Sequence, residues 1–115
     1  MREIVRDKGR IEHMLAAIDN VFEYTEGLSY DDFEKNKVLC HATIYNIQII
    51  GEAAYKLTKD FKDSHPEVAW RLIEGLRHIL VHDYYQVSHS ELWNVVRDDL
   101  PTLRQHLVSY LKTIK

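Results

Sequence analysis

The chain of 115 residues contains one cysteine, two prolines and four glycines. Because Cys40 has no second cysteine to pair with, an intramolecular disulfide is excluded and a reduced, cytoplasmic setting is expected. The scarcity of proline and glycine predicts few turns and long elements. No apolar run approaches the roughly 18 residues of a membrane span, and Met1–Lys8 lacks the apolar core of a signal peptide. We therefore expect one globular domain over residues 1–115, with no membrane association.

Several kinds of chemical site are also missing from the sequence. There is no glycine-rich phosphate loop, so ATP or dinucleotide binding through such a loop is not expected. His78 and His82 have the spacing of paired helical ligands, but the glutamate of H-E-x-x-H and any Cys/His cluster are absent, so no metal site is predicted. Cys40 is interpreted as a small buried hydrophobe. The net charge of −3 argues against broad, non-specific binding of nucleic acid.

Helical periodicity runs along most of the chain. Apolar residues recur at helical spacing over residues 7–26, with Gly27 as a stop, and again over 37–61. Ser64 to Glu67 and Ser88 to Glu91 have capping-box spacing and predict the starts of two further helices. Proline at position 101 must kink or restart the last helix. We find no strand alternation, so the predicted fold is all-α, an antiparallel four- to five-helix bundle.

The apolar surface of the second predicted helix is wide. It suggests contact on two sides, with the fold core and with a partner chain. Gly51 lies in the middle of this helix, where glycine costs up to about 1 kcal/mol relative to alanine, and we expect another helix to approach it closely. Glu52 is either a charge at the solvent edge or a group near Arg77, and the sequence favours the first.

Aromatic residues are interpreted as packing residues. Trp70 and Trp93 are predicted to anchor the core or an interface. The following tyrosines are assigned to helix packing without a special role: Tyr24, Tyr30, Tyr45, Tyr55 and Tyr110.

The stretch of greatest chemical interest is Arg77–Tyr85, at the end of an apolar helical run. An arginine is followed by a histidine five positions later and a tyrosine two positions beyond. The arginine fork suits a phosphate, and His82 can give and take protons near neutrality, which is the pairing that phosphodiester cleavage requires. The alternative is a helix C-terminus whose cations meet the negative end of the dipole. Arg77 and His82 lie about 140° apart around a helix, so either the long arginine reaches round or a second protomer completes the site.

Together with its flanking residues, this stretch resembles the HepT-like (DUF86) branch of the HEPN superfamily, toxins paired with a minimal, MntA-like nucleotidyltransferase antitoxin. The resemblance covers nearly the whole chain. It rests on Ile50–Ala54, His65–Glu67, Trp70, Gly75–Arg77, His82, Tyr84, Val87, Trp93 and Asp99–Pro101.

The resemblance implies a HEPN-type bundle that works as a homodimer and cleaves RNA as a metal-independent endoribonuclease, without a cofactor. DNA is not an expected partner. Arg77 would bind the scissile phosphate and stabilise charge in the transition state. His82 would provide general acid–base catalysis during attack by the ribose 2′-hydroxyl, and His78 and Asp83 would support these two residues.

The resemblance also implies how the enzyme is silenced, in a type VII toxin–antitoxin system. Tyr84 matches the tyrosine that the antitoxin modifies with AMP; Tyr85 follows directly, but the register selects Tyr84. ATP and Mg²⁺ would belong to the antitoxin's reaction. Added phosphate beside the cleft would exclude RNA by charge and bulk. The alternative is a non-catalytic helical dimer that binds a nucleotidyltransferase or a nucleotide.

Overall fold

A computed structural model of the chain describes residues 2–78 and 88–114, with side chains from residue 6 onward. No strand occurs within these ranges, and the predicted all-α class is confirmed. The helices are α1 (Arg2–Thr25), α2 (Tyr30–Lys35), α3 (Lys37–Lys56), α4 (Lys59–Ser64), α5 (Trp70–Gly75), α6 (His89–Asn94) and α7 (Leu100–Thr113), with a π-helical segment (Val95–Asp99) between the last two.

The two longest helices, α1 and α3, pack side by side and run antiparallel. Near the start of α1, the Asp7 carboxylate accepts hydrogen bonds from the backbone N–H (2.9 Å) and hydroxyl (2.7 Å) of Thr58, just beyond the end of α3. Near the other end of α1, Asn20 Nδ2 donates to Asn46 Oδ1 at 3.2 Å, in the middle of α3. Contacts that move backward along α3 as they move forward along α1 establish the antiparallel pair.

The larger core cluster joins α1, α3, α5 and α7. The apolar stripe predicted for α1 contains six residues, of which four are fully buried in this cluster: Ile11, Met14, Ile18 and Val21. The other two, Leu15 and Phe22, are partly buried against it. At residue 27, where the sequence predicts the end of α1, the glycine has a φ of 74°, a left-handed conformation that costs other residues more. The periodicity and the stop residue of α1 are therefore both confirmed.

A smaller cluster lies between α2, α3 and α6 and includes Phe33, Cys40 and Leu92. The Cys40 thiol donates to the Phe33 carbonyl at 3.2 Å. Burial, with a smaller contribution from Glu34, raises the pKa of this thiol. Cys40 is buried, which confirms its interpretation as a small buried hydrophobe. A buried neutral thiol is also a poor nucleophile.

The predicted helix over residues 37–61 is wrong at its end. Helix α3 stops at Lys56, Leu57 is extended, and Thr58 caps α4 by accepting from the Phe61 N–H at 3.2 Å. The physical reason is the long-range bond between Asp7 and the N–H of Thr58, which holds that N–H outside any helix.

The predicted capping box at Ser64 is also wrong. Ser64 is the last residue of α4, and its hydroxyl donates to the Asp60 carbonyl. The next helix begins only at Trp70. The serine at position 88, in contrast, accepts from the Glu91 N–H at 3.3 Å and caps α6 as predicted.

The proline at position 101 restarts the last helix, as predicted. It occupies the first turn of α7, where a missing N–H costs little, and the π-helical segment precedes it. Helical periodicity after Ser64 also predicts that Ala69 and Leu72 face inward, and this is wrong: Leu72 is 76% exposed, and Ala69 is exposed in the turn before α5. Within the described residues, no helix combines the length and apolar character of a membrane span.

Candidate functional site

The predicted site residues divide into two groups. Arg77 and His78 lie just beyond α5, and the side chain of Arg77 is partly buried while that of His78 is exposed. His82, Asp83 and Tyr84 lie outside the described residues. Their convergence with Arg77 therefore stays a prediction.

The backbone of Arg77 rests directly on α3 at Gly51. A Cβ atom at position 51 would lie 2.6 Å from the Arg77 nitrogen and 2.9 Å from the Ile73 carbonyl oxygen. Such distances are too short for any side chain, so glycine is required for this approach. The predicted close helix contact at Gly51 is confirmed, and it sets the position of Arg77 relative to α3.

The Arg77 guanidinium lies over an aromatic ring. Its Cζ atom is 3.7 Å from the centroid of the Tyr55 ring on α3, a cation–π contact. Its Nη1 atom donates to the Glu74 carbonyl at 3.2 Å. The side chain is thus held by one ring face and one backbone oxygen. This contact was missed from the sequence, because Tyr55 and Arg77 belong to different helical regions.

A largely buried ion pair adjoins this contact. Lys62 Nζ is 2.8 Å from the Glu74 carboxylate, with side chains 18% and 20% exposed. The same ammonium lies 3.4 Å from the Ala54 carbonyl and 3.5 Å from the Tyr55 carbonyl, at the C-terminus of α3. A cation at that end of a helix is stabilised by the helix dipole. Lys62 thereby contacts both Tyr55, whose ring lies under Arg77, and Glu74, whose carbonyl accepts a hydrogen bond from Arg77.

Glu52 lies on the exposed side of α3. Its carboxylate is 3.8 Å from Lys56 one turn later, and both side chains are about half exposed. The structure agrees with the solvent-edge interpretation. An exposed pair of this type contributes little to stability.

A second polar cluster joins the turn before α5 to α7. The Tyr110 hydroxyl donates to the Glu67 carboxylate, and the Tyr110 ring lies 4.1 Å from the His65 ring, centroid to centroid. The hydrogen bond from Tyr110 lowers the pKa of Glu67. Burial and the neighbouring Glu67 raise the pKa of Tyr110. Trp70, predicted as an anchor, is buried and donates its indole N–H to the His65 carbonyl at 2.9 Å.

A groove of about 380 Å³ separates α5 from the π-helical segment and α7. Most of its lining is apolar, and its polar lining residues are three carboxylates, one threonine and one histidine: Glu67, Asp98, Asp99, Thr102 and His106. Carboxylates repel the phosphates of a nucleic-acid backbone, so this groove is less suited to RNA than the surface around Arg77. In the described part of the chain, no group of three His, Cys, Asp or Glu residues is arranged to hold a metal ion.

Comparison with known proteins identifies the family. The sequence model of the family described as Ribonuclease HepT-like matches residues 14–109. "Putative RNase MJ1380" of Methanocaldococcus jannaschii is 33% identical over 87% of this chain and 92% of its own length. "Putative RNase TTE0752" of Caldanaerobacter subterraneus subsp. tengcongensis is 33% identical over 91% of this chain and 94% of its own length.

A third relative has a more specific name. "Probable ribonuclease HepT" of Thermococcus cleftensis is 36% identical over 84% of this chain and 88% of its own length. No solved structure is a significant match. The match of the family to residues 14–109, which include Gly51, Tyr55 and Arg77, shows that the chain belongs to the Ribonuclease HepT-like family.

Proposed function

We propose that this protein is an endoribonuclease and the toxin of a type VII toxin–antitoxin pair. The observation that carries the proposal is the held guanidinium of Arg77, partly buried against Tyr55 in a chain of the Ribonuclease HepT-like family. An arginine fixed before substrate arrives needs little reorganisation to meet a phosphate. The names of the relatives, which include ribonuclease HepT, support RNA as the substrate.

The proposed reaction needs no cofactor and no metal-bound water. The ribose 2′-hydroxyl attacks the adjacent phosphorus, and the bond from phosphorus to the 5′-oxygen of the next nucleotide breaks. His82 takes the 2′-hydroxyl proton, and a proton returns to the departing 5′-oxygen, leaving a 2′,3′-cyclic phosphate and a 5′-hydroxyl. Arg77 binds the non-bridging phosphate oxygens, while His78 and Asp83 support the pair.

A homodimer with the cleft at its interface is part of the proposal. The chain carries a net charge of −3, which by itself disfavours RNA. Two copies of Arg77 and His82 near a twofold axis would create a locally positive cleft on an acidic protein.

The proposed regulator is a nucleotidyltransferase antitoxin that uses ATP and Mg²⁺ to transfer AMP to Tyr84. The phosphate of each AMP adds negative charge and the nucleoside adds bulk where the RNA backbone would lie. Replacing the tyrosine by phenylalanine should leave the ring but remove the acceptor oxygen. Tyr84→Phe should therefore escape neutralisation by this route.

The test is induction of wild type, Arg77→Ala and His82→Ala without an antitoxin, with growth and total RNA followed at matched expression. We expect arrest and new RNA fragments for wild type only, since each substitution removes a group that acts on the phosphate or on a proton. Mass spectrometry of the purified wild type checks that Tyr84 carries no AMP. Unmodified wild type that neither arrests growth nor cleaves a panel of tRNA and mRNA would refute the proposal.

The second candidate is a non-catalytic helical dimer that binds a nucleotidyltransferase or a nucleotide. The acidic rim of the groove between α5 and α7 favours it, because such a surface suits a protein partner better than RNA. Calorimetry with ATP or AMP and a pull-down with a nucleotidyltransferase distinguish it. Binding without RNA cleavage would support this candidate over the nuclease.

A further inference from the structure

We infer that Tyr55 is the positioning residue for Arg77, a role that rests on the proposed ribonuclease function. The centroid of the Tyr55 ring lies 3.7 Å from the guanidinium carbon, so the cation is held over the ring face. Tyr55 is itself 51% exposed. Its ring is therefore not fully packed in the core, and one face is available to the arginine.

The contact holds the arginine without neutralising it. Among the described residues, no carboxylate forms an ion pair with Arg77. A carboxylate partner would orient the guanidinium but would compete with phosphate for its N–H groups. An aromatic face attracts the cation through its quadrupole and leaves the N–H edge open. The Glu74 carbonyl takes one of the five donors that a guanidinium carries.

The geometry of α3 brings Tyr55 to this position. Gly51, where an added Cβ would clash with the backbone of Arg77, lies four residues before Tyr55, so both occupy the same face of the helix. One turn of α3 therefore contacts the backbone of Arg77, and the next turn contacts its side chain. The ion pair of Lys62 with Glu74 ties the two regions together behind the contact.

The expected consequence is on turnover more than on binding. Without the ring, the long arginine side chain regains rotamer freedom and must be ordered again in each transition state. Attraction of the charged arginine for RNA persists, because the charge remains. The loss should therefore be seen mainly in kcat.

The experiment measures RNA cleavage by purified protein without AMP on Tyr84, comparing wild type with Tyr55→Leu, Tyr55→Phe and Tyr24→Leu. We expect Tyr55→Leu to lower kcat on the order of tenfold with a smaller change in KM. Tyr55→Phe keeps the ring face and should retain most of the wild-type kcat. Tyr24→Leu is the matched control, the same change at a tyrosine that is 41% exposed on α1.

A second measurement reads the contact independently of activity. In NMR spectra, protons of the Arg77 side chain should be shifted upfield by the ring current of Tyr55. The shift should persist in Tyr55→Phe and disappear in Tyr55→Leu. If Tyr55→Leu does not fold, Tyr55→Gln replaces it, since glutamine is compatible with a helix and with solvent.

The outcomes separate the two proposals. Equal kcat for wild type and Tyr55→Leu, with wild type active, overturns the role of Tyr55 and leaves the ribonuclease standing. A fall that Tyr55→Phe or Tyr24→Leu shares equally also overturns it, because the ring face would not be the cause. Unmodified wild type without RNA cleavage overturns the proposed function, and the positioning role with it.

Discussion

Two tyrosines contact charged side chains at opposite ends of α5, and they do so in different ways. Tyr110 is 6% exposed and donates its hydroxyl to Glu67, which precedes α5. Tyr55 is 51% exposed and presents its ring face to Arg77, which follows α5. One contact uses the polar tip of the side chain, and the other uses its apolar body.

Burial explains the difference. A buried hydroxyl without a partner loses its hydration, which costs about 1–3 kcal/mol, so Tyr110 requires the carboxylate for stability. The environment of Tyr55 is half solvent, and its ring is available to a cation. The comparison indicates that the Tyr110 contact stabilises the fold, whereas the Tyr55 contact serves the proposed site.

The largest expected effect comes from Gly51→Ala, which would displace the backbone of Arg77, just beyond the C-terminal end of α5. The added Cβ would lie 2.6 Å from the Arg77 nitrogen, and overpacking of this kind typically destabilises by about 1–3 kcal/mol. Because α3 and the end of α5 must separate, Arg77 also moves, and RNA cleavage should fall severely. Thermal unfolding and a cleavage assay measure the two effects.

Gly9→Ala is the matched control for this substitution. Position 9 is also inside a helix, and a Cβ there meets nothing within 4 Å. This change should stabilise α1 by roughly 0.5–1 kcal/mol and leave cleavage unaltered. Wild-type stability and activity in Gly51→Ala would contradict the close helix approach.

A smaller effect, on stability alone, is expected for Tyr110→Phe. Removing the hydroxyl eliminates its hydrogen bond and should lower the free energy of unfolding by about 1 kcal/mol, visible as a lower melting temperature. RNA cleavage should stay at the wild-type level. Tyr24→Phe, at an exposed tyrosine, should change neither quantity. A cleavage defect in Tyr110→Phe, measured where the variant is still fully folded, would contradict a role of Tyr110 in stability alone.

The smallest effect is the pH dependence of the Tyr110 contact. Folding lowers the pKa of Glu67. The stability that Glu67 contributes is therefore present above the ordinary glutamate pKa of about 4.3 and is lost as pH falls through the lowered pKa. Folding raises the pKa of Tyr110, so the stability that Tyr110 contributes is present below the ordinary tyrosine pKa of about 10 and is lost as pH rises through the raised pKa. The difference in melting temperature between wild type and Tyr110→Phe should therefore be largest between these limits. A difference independent of pH would argue against the hydrogen bond as its source.

Local features of the fold could be predicted because neighbouring residues decide them. The stripe of α1, the glycine turn at position 27 and the restart at Pro101 depend on residues within one or two helical turns. The glycine at position 51 is a partial exception: its occurrence inside a helix predicts a close approach, but not which residue approaches. The structure identifies the approaching backbone as that of Ile73, Leu76 and Arg77.

The wrong predictions share one cause. A continuous helix over residues 37–61 fails because Asp7, far away in sequence, binds the N–H of Thr58. Glu67 bonds to Tyr110 of α7, so the local capping pattern that begins at Ser64 is not the one the fold uses. In both places a long-range hydrogen bond prevails over a local preference.

Periodicity and short-range motifs were sufficient to predict the all-α class, the family and Arg77 as a site residue. The contact of Tyr55 with that arginine and the hydrogen bond of Tyr110 to Glu67 follow only from the packed fold. The reason is physical: residues far apart in the chain meet only when helices pack. Packing then decides, through burial, whether a tyrosine contributes its hydroxyl to the fold or its ring to a charged neighbour.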